Sequence, residues 1–152
     1  MEKVSIIIIT YNEEENIGDC LNSLSSLDYD KNDYEIIVVD ASIDNTKKII
    51  KEFTDVKIIL SEKGYGLQRN LGIRNSKYDL VAFTDADCIV PKDWLIKLTK
   101  NLNGFSCLGG RVKAPENSRL VGRCVTALGF PAGGSLGIEF FGTLSTCNSI
   151  FK

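Results

Sequence analysis

Asp85 and Asp87 stand one residue apart in the run Phe83-Thr84-Asp85-Ala86-Asp87, directly after an apolar stretch. Two carboxylates on alternate residues at a strand end can face one hard divalent cation together, because ions such as Mg²⁺ take oxygen ligands. The competing role is an ordinary acidic turn, since aspartate favours turns through its own local hydrogen bonds. A cation on this pair would neutralise charge on a departing phosphorylated group and act as a Lewis acid for substitution at carbon. That chemistry needs no histidine, and the chain has none.

Polar side chains also close two other apolar runs. Ser5 to Ile9 ends in Thr10-Tyr11-Asn12-Glu13, and Glu35 to Val39 ends in Asp40. Asp40 can accept from a base edge or a ribose hydroxyl, or cap the turn through Ser42 to Asp44. Tyr11 can cover a planar base or pack. Lys63 and Arg69 flank Gly64-Tyr65-Gly66. They offer positive charge, and Gly66 close backbone approach, to a diphosphate; the alternative is a solvated loop that starts a helix.

The elements that must position these groups follow from the apolar pattern. Val4 to Ile9, Tyr34 to Val39, Val56 to Leu60 and Leu80 to Thr84 are short runs rich in β-branched residues. Their apolar residues fall on both alternating faces, as in strands of a buried parallel sheet. Between them, Ile17, Cys20, Leu21, Leu24 and Leu27 recur at helical spacing, with Glu13, Glu14 and Glu15 expected in the first turn. Asp44 is expected to cap a helix carrying Ile49, Ile50 and Phe53, and Gly66 to Asn75 reads as a third helix. Trp94 to Leu102 is helix-like, and Ser106 to Val112 is a possible further strand. This alternation implies right-handed crossovers and a mainly parallel α/β sheet flanked by helices, with the ligand crevice at the strands' carboxyl ends. Function should therefore gather after Ile9, Val39 and Thr84.

Length and composition limit the rest. A chain of 152 residues suits one domain, and 43% apolar with 25% charged residues is the balance of a folded soluble protein. Eighteen basic against twenty acidic residues leave a formal charge of -2, which supplies no field for holding nucleic acid. The five cysteines form no CxxC pair, so no zinc or redox motif is expected; reduced thiols and a cytoplasmic location fit. Met1-Glu2-Lys3 runs straight into a strand without a secretory signal. No apolar run approaches the roughly 20 residues of a membrane span. Any association with the membrane's cytoplasmic face would depend on further C-terminal sequence.

In order, the chain presents Ser5-Ile6-Ile7-Ile8-Ile9-Thr10-Tyr11-Asn12-Glu13, Glu35-Ile36-Ile37-Val38-Val39-Asp40, Gly66-Leu67-Gln68-Arg69-Asn70-Leu71-Gly72 and Phe83-Thr84-Asp85-Ala86-Asp87. This ordered set resembles the family-2 glycosyltransferases of the Rossmann-like GT-A fold, along almost the whole chain. The resemblance implies transfer of a hexosyl-type sugar, with inversion, from a UDP- or GDP-type donor to a carbohydrate, lipid or protein acceptor, assisted by Mg²⁺ or Mn²⁺. It implies nucleoside contacts from Thr10, Tyr11, Glu13 and Asp40, and diphosphate contacts from Arg69 together with Lys63 and Gly66. Asp85 and Ala86 would lie at the ribose or sugar, and Asp87, with Asp85, at the metal. The nucleotide-binding part would span about 1–113 and the start of an acceptor part about 114–152.

Two departures from the family pattern stand out. The loop Asp40-Ala41-Ser42-Ile43-Asp44-Asn45-Thr46 is one residue shorter than the usual D-D-G-S-T-D-G-T, which puts nucleoside contacts at Ala41 and Ser42 in question. The ending Thr143 to Lys152 resembles the segment just before the family's E-D motif, where the general base usually lies, so a truncated fold lacking that base is expected. Glu139, the only carboxylate after Glu116, is the substitute in hand. A non-catalytic donor-binding fragment is the first alternative. A haloacid-dehalogenase-like phosphatase is another, but its D-x-D should follow the first strand rather than the fourth. A Rossmann dehydrogenase fails at its defining turn, where Thr10-Tyr11-Asn12-Glu13-Glu14 would oppose a pyrophosphate with side chains and negative charge.

Overall fold

A computed structural model of the chain describes residues 1–110, 112–113 and 147–152. The β-branched runs form four parallel strands: β1 (Val4–Thr10), β2 (Tyr34–Asp40), β3 (Val56–Leu60) and β4 (Leu80–Thr84). Two short strands, β5 (Cys107–Gly109) and β6 (Asn148–Phe151), extend the sheet antiparallel beyond β4, giving the order β3-β2-β1-β4-β6-β5. The helices are α1 (Ile17–Ser25), α2 (Thr46–Ile50), α3 (Tyr65–Arg74) and α4 (Trp94–Asn101). Among the described residues no helix is long and apolar enough to cross a membrane.

Alternation along β1 divides the core between the two faces of the sheet. Val4, Ile6 and Ile8 pack with Ile17, Leu21 and Leu24 of α1 and with Trp94, Leu95 and Leu98 of α4. Ile7 points the other way and clusters with Val81, Phe83 and Phe151. Helix α3 lies on this second face, where Gly72 comes so near the sheet that an added Cβ would stand 2.6 Å from Ile7 Cγ2. All of β1 except Ile9 is buried, which is why its apolar run is continuous rather than alternating.

Chain order and sheet order together locate the crevice. From β1 the chain steps outward to β2 and β3, then crosses back to place β4 on the opposite side of β1. The β1–β4 boundary is thus the topological switch point, where ligands of open α/β sheets bind at the strands' carboxyl ends. The ladder there ends at Ile7↔Phe83. Continuing that register sets Thr84 beside Ile8, so β4 leaves the sheet before β1 reaches Thr10 and opens a notch between the two tips.

Several local expectations are corrected. Glu13, Glu14 and Glu15 precede α1 instead of filling its first turn, because the Glu13 carbonyl already accepts from the Asn16 and Ile17 N–H groups, and the acid in the first turn is Asp19. Asn45, not Asp44, is the N-cap of α2. Asp44 instead accepts from the Thr46 N–H at 3.0 Å, and Phe53 lies beyond the five-residue helix, packed on the core. The strand expected over Ser106 to Val112 contracts to β5. Strand β6 has no counterpart in the sequence reading, since four residues of mixed polarity carry little period of their own. Residues 114–146, most of the expected acceptor part, lie outside the described residues.

Candidate functional site

The tips of β1 and β2 are joined side chain to side chain. Thr10 and Asp40 are register partners, and the Thr10 hydroxyl donates to Asp40 Oδ1 at 2.8 Å. The Ser42 N–H donates to the same oxygen at 3.0 Å, which is the turn-capping role open to Asp40 from sequence. Asp40 is only 1% exposed, and its other oxygen, Oδ2, is buried without a hydrogen-bond partner. An unsatisfied buried acceptor costs about 1–3 kcal/mol, which a donor brought by a ligand would recover.

The loops after β1 and β2 interlock. Asn12 has φ +57°, a left-handed conformation that asparagine tolerates better than most residues. That geometry lets its N–H donate to Ser42 Oγ at 2.8 Å while its Oδ1 accepts from the Ile43 N–H at 3.0 Å. The Glu13 N–H donates to Thr46 Oγ1 at 2.8 Å, and the Glu14 carboxylate accepts from both the backbone and the side chain of Asn45. The Ser42 hydroxyl thus holds the two loops together as an acceptor. The Glu13 carboxylate accepts from Asn16 Nδ2 at 2.9 Å.

A third segment, between β3 and α3, closes over these tips. Lys63 Nζ sits 3.6 Å from the centre of the Tyr11 ring, within cation–π range, so Tyr11 presents a face already charged on one side. The side chain of Gln68, 2% exposed, reaches from α3 to the carbonyls of Thr10 and Val39, donating to each at 2.9 Å. Arg69 follows directly, with its guanidinium 5.8 Å from the Tyr65 ring centre. At Gly66 an added Cβ would meet nothing within 4 Å, so the space beside it is open.

Beyond β4, Asp85 is half-buried and Asp87 exposed, while Ala86 turns into the core at 3% exposure. Only the main chain of Ala86 is left to face a ligand. Burial, and then the neighbouring charge of Asp87, push the Asp85 carboxyl above the ordinary carboxylate range; Arg69 opposes this and Glu13 adds to it. The same interactions put Arg69 and Glu13 within electrostatic reach of the pair. The Asp85 carbonyl accepts from the Cys88 N–H at 3.1 Å and from the Cys20 thiol at 3.5 Å, which fixes the loop to α1. Cys20, Cys88 and Cys107 are free thiols.

Among the described residues no three acidic or thiol side chains gather into a ready cation cage. Asp85 and Asp87 nevertheless fit a cation that arrives with its substrate, since Mg²⁺ is commonly held by one or two carboxylates plus substrate phosphates and water. The charge that Asp87 imposes on Asp85 is the charge such a cation would relieve.

Thr10, Tyr11, Asp40, Lys63 and Arg69 thus line the rim to which Asp85 and Asp87 also belong. Glu139, the substitute base, lies outside the described residues. The roles of Asn12 and Gln68 were not foreseen; the hint for Asn12 was its tolerance of left-handed backbone right after a strand.

Comparison with known proteins agrees with this geometry. The model of Glycosyl transferase family 2 matches residues 5–135. Glycosyltransferase AglE of Haloferax volcanii is 38% identical over 119 residues, covering 72% of this chain and 39% of AglE. The crystal structure of S. aureus TarS 1-349 superposes with a TM-score of 0.75 at 28% identity, covering 99% of this chain and 47% of that one. Its complex with UDP-GlcNAc gives 0.67 at 28% identity, with 78% and 36% covered. A mannosyltransferase of Pyrobaculum calidifontis, in complex with GDP-Man and Mn²⁺, gives 0.65 at 29% identity, covering 76% and 36%. The chain spans less than half the length of these relatives.

Proposed function

Because the chain belongs to glycosyl transferase family 2, we propose that it binds a nucleoside-diphosphate sugar with Mg²⁺ or Mn²⁺ and serves the transfer of that sugar, with inversion, to an acceptor hydroxyl. What supports this reading is that the Thr10–Asp40 tips, the start of α3 that carries Arg69, and the strand end that leads into Asp85 and Asp87 are neighbours at the β1–β4 switch point. The donors named in the TarS and mannosyltransferase complexes, and the Mn²⁺ of the latter, support it.

On this reading Asp40 Oδ2 accepts a proton donor of the base while Oδ1 keeps its bonds to Thr10 and Ser42. The ring of Tyr11 covers the base from one side. Arg69 and Lys63 balance the diphosphate, Asp85 orients the ribose or sugar, and Asp87, together with Asp85, would hold the cation. A cation bound there would stabilise the nucleoside diphosphate as it leaves. In the transfer the acceptor oxygen bonds to the sugar carbon as the carbon–oxygen bond to the diphosphate breaks, and the acceptor's proton passes to a base. The described residues supply the donor and cation side of this reaction and no base for the acceptor.

Calorimetric titration of the chain with UDP and with GDP, each with and without Mn²⁺, tests the proposal. One of the two nucleotides should bind with Mn²⁺ and bind far more weakly without it. Asp87→Ala should remove that difference. If neither nucleotide binds, or if binding ignores the cation, the reading is wrong.

A further inference from the structure

Helix α3 is held to the sheet in an unusual way. Its buried residues are Gln68 and Gly72, a carboxamide and a bare backbone, in place of an apolar stripe. Gly72 sets how close the helix lies but cannot set its rotation. The Gln68 carboxamide can, because its three hydrogen bonds go to three different segments. Its two N–H groups are used on the Thr10 and Val39 carbonyls, at the tips of β1 and β2, and its oxygen accepts from the Gly64 N–H at 3.2 Å, at the start of the helix. With two donors committed and its acceptor engaged, the amide is fixed in orientation.

We propose that Gln68 is the positioning residue of the donor site, which sets the rotation of α3 and the path of the Lys63–Gly64 segment, and so aims Arg69 and Lys63 at the diphosphate. The proposal rests on the donor-binding reading above. Adjacent helix residues diverge by about 100°, so locking Gln68 onto the sheet fixes the direction in which Arg69 leaves the helix, and the charge of Arg69 acts on Asp85. Lys63 neighbours the Gly64 N–H that Gln68 holds, and its ammonium rests on Tyr11 at the β1 tip. One buried amide thereby couples both cationic side chains to the strand ends that carry Thr10 and Asp40. A shift of about 1 Å in such groups is enough to weaken a charge-assisted contact severely.

Gln68→Met tests this, since methionine fills similar volume without any of the three hydrogen bonds. Ser5→Ala is the control: Ser5 is equally buried and hydrogen-bonded, to Glu35 and Tyr78, but at the opposite end of β1. Calorimetry with Mn²⁺ would compare the nucleoside diphosphate that the unaltered chain binds with its monophosphate, alongside thermal melts. For Gln68→Met the diphosphate should bind about tenfold more weakly or worse, while the monophosphate loses less than about threefold. Ser5→Ala should lower the melting temperature and leave both affinities in place. Gln68→Glu keeps an acceptor for Gly64 and loses the two donors, so it should bind the diphosphate more weakly than the unaltered chain even if the methionine variant does not fold. Unchanged diphosphate binding in the folded Gln68 variants overturns the proposal, as does equal weakening of both nucleotides in step with lost stability. Failure of the unaltered chain to bind UDP or GDP would instead refute the donor-binding reading itself.

Discussion

At Asp40 the two carboxylate oxygens are bound to different fates. Oδ1 accepts from Thr10 and Ser42 and so belongs to the loop, whereas Oδ2 is buried with no partner. Asn at this position can keep an acceptor for Thr10 and Ser42 while replacing Oδ2 with an amide that donates. Asp40→Asn should therefore retain the fold, with a melting temperature near or above that of the unaltered chain, because a buried charge has gone. Nucleotide affinity should fall about tenfold, since donor would meet donor at the base. Calorimetry beside a thermal melt checks both, and full affinity in this variant would dismiss Oδ2 as the acceptor for a base. Asp40, Asp85 and Asp87 were legible in the sequence because an acid at a strand end is visible from type and position alone. Gln68 and Asn12 were not, because what distinguishes them is the partner each one meets across the fold, some thirty or more positions away.

Among the elements, β1 and β2 were readable to within a residue because burial on both faces leaves a nearly unbroken β-branched run. Helix α2 was harder, whereas α3, expected over Gly66 to Asn75, lies one residue earlier at both ends. A five-residue helix has too few positions to display a period, and α3 touches the sheet through Gln68 and Gly72, neither of which is apolar. Strand β6 gains its place from pairing on both sides, with β4 and β5, and from Asn148 Oδ1 accepting the Trp94 indole N–H at 2.8 Å. The close seat of α3 has a measurable consequence. Gly72→Ala adds a Cβ 2.6 Å from Ile7 Cγ2, in a fully buried strand where there is little room to yield. Overpacking of this kind costs about 1–3 kcal/mol, against a gain of about 0.8–1.0 kcal/mol in helix propensity. The net expectation is a lower denaturant midpoint with an unchanged slope. A midpoint equal to or above that of the unaltered chain would mean that α3 stands further from β1.

The molecule as a whole gathers its proposed site at one rim and spreads its stability through a core that includes buried acids of another kind. With a formal charge of -2 the chain has no general attraction for a nucleotide, so on the proposed reading local cations at the rim would have to hold one. Away from neutral pH the core itself becomes the sensitive part. Burial first, and then the charges of Cys88, Asp87 and Asp85, push the Cys20 thiol from 9.0 to about 12. Burial likewise raises the phenols of Tyr29 and Tyr34, which meet edge to face with ring centres 6.2 Å apart. In each case the folded chain keeps its proton at a pH where the unfolded chain has released it. Above about pH 9 the unfolded state thus binds fewer protons, and stability falls as pH rises until the buried groups ionise in place near the upper end of that range. Below that range these groups contribute no pH dependence. Urea midpoints measured from about pH 8 to about pH 11 should decline steadily, and Cys20→Ala should lessen the slope while Cys88, whose thiol burial also pushes up to about 12, sustains the remainder with Tyr29 and Tyr34. If removing the thiol leaves the alkaline slope as it was, Cys20 is not the buried acid that the packing of α1 against the Asp85 loop makes it.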